Sequence, residues 1–334
     1  MLEHGGRLRA AARQYGIPEH AWLDLSTGIN PDGYPVPTLP SPRWQRLPDG
    51  DDALRAAAIG YYGSESLLPI AGSQAAIQAL PRLRTLSRVG IVSPTYGEHA
   101  HAWRRAGHAV QELSADTVEA SLEALDVVVL ANPNNPTGAC LDCNTLRGWR
   151  TRLAARGGWL VADEAFMDVT PADSQVREAN EPGLIVLRSL GKFFGLAGAR
   201  VGFALAAPDL LRALEEEIGP WTVTGPAQEV AARALADKAW QESARTRLVV
   251  QSGRLGRLLA DYGFEPSGGT ALFQWVRTPR APSLHEQLAR RGIWTRLFVA
   301  PASLRFGLPG TEPQWQRLAQ ALQEISTHVT ADVS

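Results

Sequence analysis

The chain has 334 residues, 45% of them hydrophobic and 20% charged, with a formal net charge of −1. That length supports a sizeable core, arranged as a large α/β domain with a smaller companion, and the composition is that of a globular protein. Near neutrality excludes a global basic field that would recruit nucleic acid or an anionic membrane, so an anionic ligand has to be held by local arginines.

Along the chain, Met1-Leu2-Glu3-His4-Gly5-Gly6-Arg7 lacks the apolar core of a signal peptide, and no apolar run approaches the roughly 18 residues of a membrane span. The expectation is a cytoplasmic enzyme. A charged helix is predicted at about 5–15 and another at about 51–62. Between them, Asp24-Leu25-Ser26-Thr27-Gly28-Ile29-Asn30-Pro31 reads as a short strand running into a turn, and the proline-rich stretch 31–48 as an irregular arm.

From 70 to 206, short apolar runs alternate with helical stretches: Val89-Gly90-Ile91-Val92, Asp126 to Ala131, Trp159 to Ala162, Leu184 to Leu187 and Val201 to Ala206. Buried strands alternating with helices imply a largely parallel sheet covered on both faces, with ligands bound beyond the carboxyl ends of the strands. A helix at 208–218 and a long one from about 225 to 260 lead to strands near 271–276 and 302–306 and helices near 282–292 and 312–327. The predicted division is an N-terminal arm, 1–40, associated with the small domain, a large domain at 41–220, and a small domain at 221–334 that includes the long helix.

Only two lysines, Lys192 and Lys238, occur among 33 basic residues. Lys192 sits in Ser189-Leu190-Gly191-Lys192-Phe193-Phe194-Gly195-Leu196-Ala197-Gly198-Ala199-Arg200, crowded by glycines and aromatics. Arginine serves for a surface charge, but only a primary amine that can lose its proton forms a Schiff base with a carbonyl. A nucleotide-binding P-loop fails here, because Val186 and Phe193 stand where it needs glycine and serine or threonine.

Gly72-Ser73-Gln74 follows an apolar run and opens a helix, which makes either a plain N-cap or an anion cradle. Tyr96 in Pro94-Thr95-Tyr96-Gly97-Glu98 could stack on a ring or pack in the core. Asn132-Pro133-Asn134-Asn135-Pro136-Thr137-Gly138 is a turn that also offers a rigid amide donor, and Asp163 ends the next strand. Cys140 and Cys143 form one Cys-x-x-Cys without a second ligand pair and read as free thiols. His99 and His101 are two apart and face different ways on a helix, so with His108 they read as solvated residues, and no metal is expected.

Asn134-Asn135-Pro136-Thr137-Gly138, then Asp163-Glu164-Ala165, then Ser189-x-x-Lys192 with Arg200, resemble the fold-type I pyridoxal-phosphate enzymes of the aminotransferase class I/II family, in order and over nearly the whole chain. The resemblance implies an aspartate aminotransferase-like α/β fold: a large domain with a mostly parallel mixed sheet between helices, plus a smaller α/β domain. It implies pyridoxal 5'-phosphate as cofactor, with Lys192 as its Schiff-base anchor, Asp163 as partner of the pyridine nitrogen, Asn135 as donor to the ring hydroxyl and Tyr96 as the stacking ring. Gly72, Ser73, Gln74, Ser189 and Arg200 would hold its phosphate.

His4-Gly5-Gly6, followed by the Leu23 to Pro31 segment and by Ile293-Trp294-Thr295-Arg296 and Ser303-Leu304-Arg305-Phe306-Gly307, is similar to the L-threonine-O-3-phosphate decarboxylases of cobalamin biosynthesis, close relatives of histidinol-phosphate aminotransferases. This likeness implies that Arg305 binds the substrate α-carboxylate, aided by backbone near Gly28 and Ile29. It gives Arg296 and His4 the substrate phosphate, has Asn135 reach the substrate, and implies a homodimer. Two departures weaken an aminotransferase reading: Phe166 stands where tyrosine is common, and Leu47 where histidinol-phosphate aminotransferases place a tyrosine that reaches the neighbouring subunit. The competing expectation is histidinol-phosphate aminotransfer with 2-oxoglutarate. A regulator with a DNA-binding helix-turn-helix is disfavoured because the likeness begins within the first few residues.

Overall fold

The apolar runs between 67 and 206 become a seven-stranded sheet in the computed structural model, which describes residues 4–48, 50 and 52–331. From edge to edge its strands are Leu67–Ile70, Gly202–Ala206, Leu184–Ser189, Trp159–Asp163, Val127–Ala131, Arg88–Val92 and Ala109–Leu113. Neighbours from Leu184–Ser189 to Ala109–Leu113 run parallel, and Gly202–Ala206 runs antiparallel to the strands on either side. The sheet is thus mixed and mostly parallel.

Alternate residues Val89, Ile91, Val127, Val129, Val161, Ile185 and Leu187 join one apolar layer with Ile77, Leu80, Trp103 and Leu214. The residues between them, including Val128, Leu130, Leu160, Ala162 and Val186, are also at most 1% exposed. Burial on both faces explains why these strands are unbroken apolar runs. The strand Ala109–Leu113 escapes sequence detection because it lies at the edge, where Ala109, Gln111 and Glu112 face solvent. Two strands outrun their apolar cores, so that Asp163 and Ser189 become their last residues.

Contacts group Gly33–Asn135 with Ala139–Glu242 as one compact unit, and Met1–Asp32, Pro136–Gly138 and Ser243–Ser334 as another. The boundaries thus fall at 32/33 and 242/243 rather than at 40 and 220. Two features tie the intervening segments to the large sheet's unit: the Tyr34 N–H donates to the Phe194 carbonyl at 2.8 Å, and the helix Gly225–Ala236 packs along Asp52–Tyr62. The helix predicted at 51–62 is observed from Asp52; residue 51 lies outside the described residues.

The long helix expected at 225–260 is two helices, Gly225–Ala236 and Lys238–Asp261. Asp237 leaves helical geometry at ψ 81°, and its carboxylate accepts the Trp240 N–H at 3.0 Å, which caps the second helix. The Gln241 amide donates to the carbonyls of Ala234 and Leu235, which closes the end of the first.

In the smaller unit, an antiparallel sheet runs in the order Arg296–Phe298, Ser303–Gly307, Phe273–Arg277, Gly268–Thr270. Leu23–Asp24 pairs in parallel with Ile293–Trp294. The first helix is Leu8–Tyr15, shorter than predicted because Gly6 turns the chain at φ 77°. It packs through Ala11 on Trp22 and Ala289, and the Tyr15 hydroxyl donates to Glu286 at 2.5 Å. Gly138, at φ 75°, belongs with this unit because a Cβ there would stand 2.0 Å from the Gly269 carbonyl oxygen. Among the described residues, no helix is long and apolar enough to cross a membrane.

Candidate active site

At the carboxyl ends of the parallel strands, one cavity of about 140 Å³ is lined by Ser73, Gln74, Tyr96, Asn135, Asp163, Ser189, Lys192 and Arg200, together with Ala131, Ala165 and Phe166. Residues scattered over 128 positions of sequence meet here because consecutive parallel strands end on the same side.

Lys192 follows the strand Leu184–Ser189 in a loop held by its neighbours. Phe193 and Phe194 are fully buried, the Ser189 hydroxyl accepts the Gly191 N–H at 3.2 Å, and the Leu196 N–H returns to the Leu190 carbonyl at 3.1 Å. The Lys192 ammonium nitrogen lies 5.6 Å from the centre of the Phe166 ring. An amine is thereby presented from a rigid base beside an apolar face.

Asp163 is 5% exposed. One carboxylate oxygen accepts the Ala165 N–H at 3.1 Å, and the other lies 2.9 Å from His99 Nε2. With an ionised Asp163, the imidazole is the donor in that contact. His99 is therefore no solvated residue: its ring is 2% exposed and is fixed between Asp163 and the edge of Tyr96. The same correction applies to His108, whose Nδ1 accepts the Ser87 N–H at 3.0 Å, whose Nε2 meets the Pro81 carbonyl at 2.8 Å, and which packs on Trp103. His101 is exposed, as read from the sequence.

Burial is the main reason the Tyr96 hydroxyl is pushed up to about 12, reinforced by Glu98 and Asp163 and opposed by Arg200. It stays protonated at neutral pH and donates to the Gln74 side-chain oxygen Oε1 at 3.3 Å, and Gln74 Nε2 donates in turn to Glu98 at 3.0 Å. Gly72 caps the helix Ser73–Ala79 at φ 72°, and a Cβ there would stand 2.7 Å from an Arg200 guanidinium nitrogen. A Cβ on Gly202 would likewise reach within 2.7 Å of the Ser73 amide nitrogen. These two glycines let a cation and a helix start close together, an arrangement suited to a phosphate.

Next in sequence to the cavity-lining Asp163 and Ser189 lies a buried ionic cluster that sequence reading missed. Arg188, 1% exposed, donates to Glu164 at 2.8 Å and to Asp168 at 2.5 Å. Glu164 follows Asp163, and Arg188 precedes Ser189, so the cluster joins the two strand ends that carry site residues. Its only sequence signal is an arginine inside an otherwise apolar strand.

The remaining sequence candidates lie in the smaller unit. Arg305, 6% exposed, donates to the Ser26 carbonyl at 2.7 Å and stands opposite Arg296 in the antiparallel register. Burial first, then Arg296, pushes its guanidinium down to about 10, while Asp24 opposes. Two guanidiniums on one sheet face could hold an anion. Gly28 is buried and Ile29 half-buried just beyond Ser26, and His4 and Arg296 line a separate cavity of about 360 Å³. Cys140 and Cys143 are free thiols, and among the described residues no group of three or more His, Cys, Asp or Glu side chains could hold a metal ion.

Together, the amine, the paired carboxylate, the aromatic face and the cationic helix start can hold a planar, phosphorylated carbonyl compound. The chain matches the Aminotransferase class I and II family profile over residues 41–322. A threonine-phosphate decarboxylase of Pseudomonas aeruginosa is 58% identical over 322 residues, which cover 96% of this chain and 97% of that protein. A histidinol-phosphate aminotransferase of Mycobacterium bovis is 32% identical over 94% of this chain and 91% of its own length. The solved histidinol-phosphate aminotransferase of Sinorhizobium meliloti, in complex with pyridoxal-5'-phosphate, superposes with a TM-score of 0.83 over 98% of this chain and 99% of that one, at 22% identity.

Proposed function

We propose that this chain, which belongs to the class I and II aminotransferase family of pyridoxal-phosphate-dependent enzymes, decarboxylates L-threonine O-3-phosphate to (R)-1-amino-2-propanol O-2-phosphate and CO₂ in cobalamin biosynthesis. The observation that supports this substrate over histidinol phosphate is the gap between 58% and 32% identity at nearly full coverage.

The cofactor's fit rests on the cradle: Gly72 leaves room for the Arg200 guanidinium, which a Cβ 2.7 Å away would displace, and Gly202, where a Cβ would stand equally close to the Ser73 amide, leaves room for that amide. Bound pyridoxal phosphate supplies a carbonyl for the substrate amine and a conjugated ring that accepts the electron pair released when the bond from Cα to the carboxylate breaks. Gly72, Ser73, Gln74, Ser189 and Arg200 would hold the phosphate, Tyr96 would offer its ring face, and Asn135 would donate to the ring hydroxyl and reach the substrate. Asp163, steadied by His99, would keep a proton on the pyridine nitrogen.

On the substrate side, Arg305 would grip the α-carboxylate, aided by backbone at Gly28 and Ile29, and so select the bond that breaks. Arg296 and His4 would take the substrate phosphate. After CO₂ leaves, Lys192 Nζ would deliver a proton to Cα, which balances the reaction without an oxo acid. Phe166 offers no hydroxyl to this cavity, and Leu47 is exposed. A cytoplasmic homodimer belongs to the same proposal and is read by sedimentation and cell fractionation.

The test compares two incubations of the cofactor-loaded enzyme. L-threonine O-3-phosphate without oxo acid is expected to give the amine product, and histidinol phosphate with 2-oxoglutarate no glutamate. Glutamate formation in the second, with no amine in the first, would establish aminotransfer instead.

A further inference from the structure

A buried hydroxyl holds the N-terminal segment that carries His4. Ser26 is fully buried and lies two residues past the strand Leu23–Asp24. Its Oγ donates to Asp24 Oδ1 at 2.6 Å and accepts the Gly6 N–H at 2.7 Å. The same Asp24 oxygen accepts the Ser26 N–H at 2.8 Å. A hydroxyl has one hydrogen, so its commitment to the carboxylate turns the lone pairs toward Gly6.

The other end of Ser26 holds a different element: its carbonyl accepts from Arg305 Nη2 at 2.7 Å. Gly5 lies against that carbonyl so closely that a Cβ would stand 2.4 Å from the oxygen. Ser26 also lines the 360 Å³ cavity that His4, Arg7, His285 and Arg296 share. One residue thus ties the segment bearing His4 and Arg7 to the strand bearing Arg305, which stands opposite Arg296.

We propose that Ser26 is a positioning residue that keys the His4 to Arg7 segment onto the Arg296 and Arg305 pair, so that a phosphorylated amino acid meets a preformed cationic wall. This rests on the phosphate-binding role assigned above to His4 and Arg296. A segment that had to be ordered by each arriving substrate would subtract its lost freedom from affinity, whereas a latched one does not. The Ser26 hydroxyl touches neither the reacting bond nor the cofactor's holders, and the Ser26 carbonyl stays in place to accept from Arg305, so loss of the hydroxyl weakens binding rather than turnover.

The test uses the cofactor-loaded enzyme, with Ser26→Ala removing the latch and Gly5→Ala pushing the segment off the Ser26 carbonyl while keeping the side chains of Asp24, Ser26 and Arg305. Hydrogen exchange at the Gly6 amide is expected to quicken at least about tenfold in both variants, with the Leu25 amide unchanged. KM for L-threonine O-3-phosphate is expected to rise roughly fivefold to tenfold, the loss of one hydrogen bond, with kcat within about twofold. Unchanged Gly6 exchange, or a fall in kcat with KM unaltered, would overturn the proposal. Should Ser26→Ala fail to fold, Gly5→Ala decides by the same two readings. If the wild-type enzyme forms no amine product, the decarboxylase reading falls alone. Exchange at Gly6 still reads the latch, and the KM comparison moves to the phosphorylated amine that the enzyme turns over.

Discussion

Replacing Arg188 by Met tests the buried ionic cluster. The guanidinium donates to Glu164 at 2.8 Å, to the Ser174 hydroxyl at 3.2 Å and to Asp168 at 2.5 Å, and Tyr61 adds a donor to Asp168 at 2.9 Å. Arg188, Glu164 and Asp168 are each at most 1% exposed. Burial alone would push the guanidinium down, but Asp168 and Glu164 hold it above its ordinary value. Burial pushes the Glu164 carboxyl up, against Arg188, the Gln175 N–H and Ser174.

Methionine fills the space but leaves two carboxylates uncompensated, which costs about 3–5 kcal/mol. For a chain of this length the unfolding entropy is about 0.7 kcal/mol/K, so Tm should fall by about 4–7 °C. The sign of its pH dependence follows from Glu164. Without the guanidinium, burial still holds its folded pKa above the unfolded one, so native protein binds a proton that the unfolded chain does not. The stability it contributes is present at low pH and lost as pH rises through the folded value. Thermal unfolding followed by circular dichroism should therefore show a larger deficit at pH 8 than at pH 5.5. A Tm within about 1 °C of wild type at pH 8, or a deficit that grows on acidification, would refute the reasoning.

Three further outcomes are expected. His99→Phe removes the donor to Asp163, worth about 1.5–3 kcal/mol for a bond to a charged group, and should weaken pyridoxal-phosphate binding by roughly 10-fold to 100-fold in a fluorescence titration; unchanged affinity would deny His99 its positioning role. Gly72→Ala sets a Cβ 2.7 Å from the Arg200 guanidinium at a positive φ and should lower cofactor affinity about tenfold or more, whereas an unaffected titration would mean that the cradle does not hold the phosphate. Hydrogen bonds from Arg104 and Arg88 hold Glu112 and Asp126 below their ordinary values of 4.5 and 3.8. Their contribution is full above those values and is lost as pH falls through the folded ones, so below about pH 4.5 Tm should decline less steeply in Glu112→Gln than in the wild type; equal slopes would contradict the assignment.

The cavity at the strand ends was legible because most of its residues stand just past an apolar run, where parallel strands deliver them to one place, while Arg200 stands just before an antiparallel one. Strand ends and the resemblance were enough to single out Lys192, Asp163 and Asn135, all of which line that cavity. His99 was not legible, because its partner is 64 residues away and only topology makes the contact. The same holds for Arg188, whose carboxylates sit just past another strand and in the short 3-10 helix Met167–Val169 that follows it. The break at Asp237 hides in a helical pattern until the Trp240 cap is seen, and the polar edge strand Ala109–Leu113 carries no apolar run at all. In the smaller unit, Arg305 could be named as an anion ligand, but its pairing across the sheet with Arg296 and its grip on Ser26 depend on register and a sequence separation of 279 residues.

Whether the bond broken is the one from Cα to the carboxylate decides the account most directly. L-threonine O-3-phosphate carrying ¹³C in its carboxyl group, incubated with the cofactor-loaded enzyme and no oxo acid, should lose its carboxyl resonance as ¹³C-bicarbonate and CO₂ appear in equal amount to the phosphorylated amine. Label retained in a carboxylate, with turnover only once 2-oxoglutarate is added, would contradict decarboxylation and assign the site to amino-group transfer.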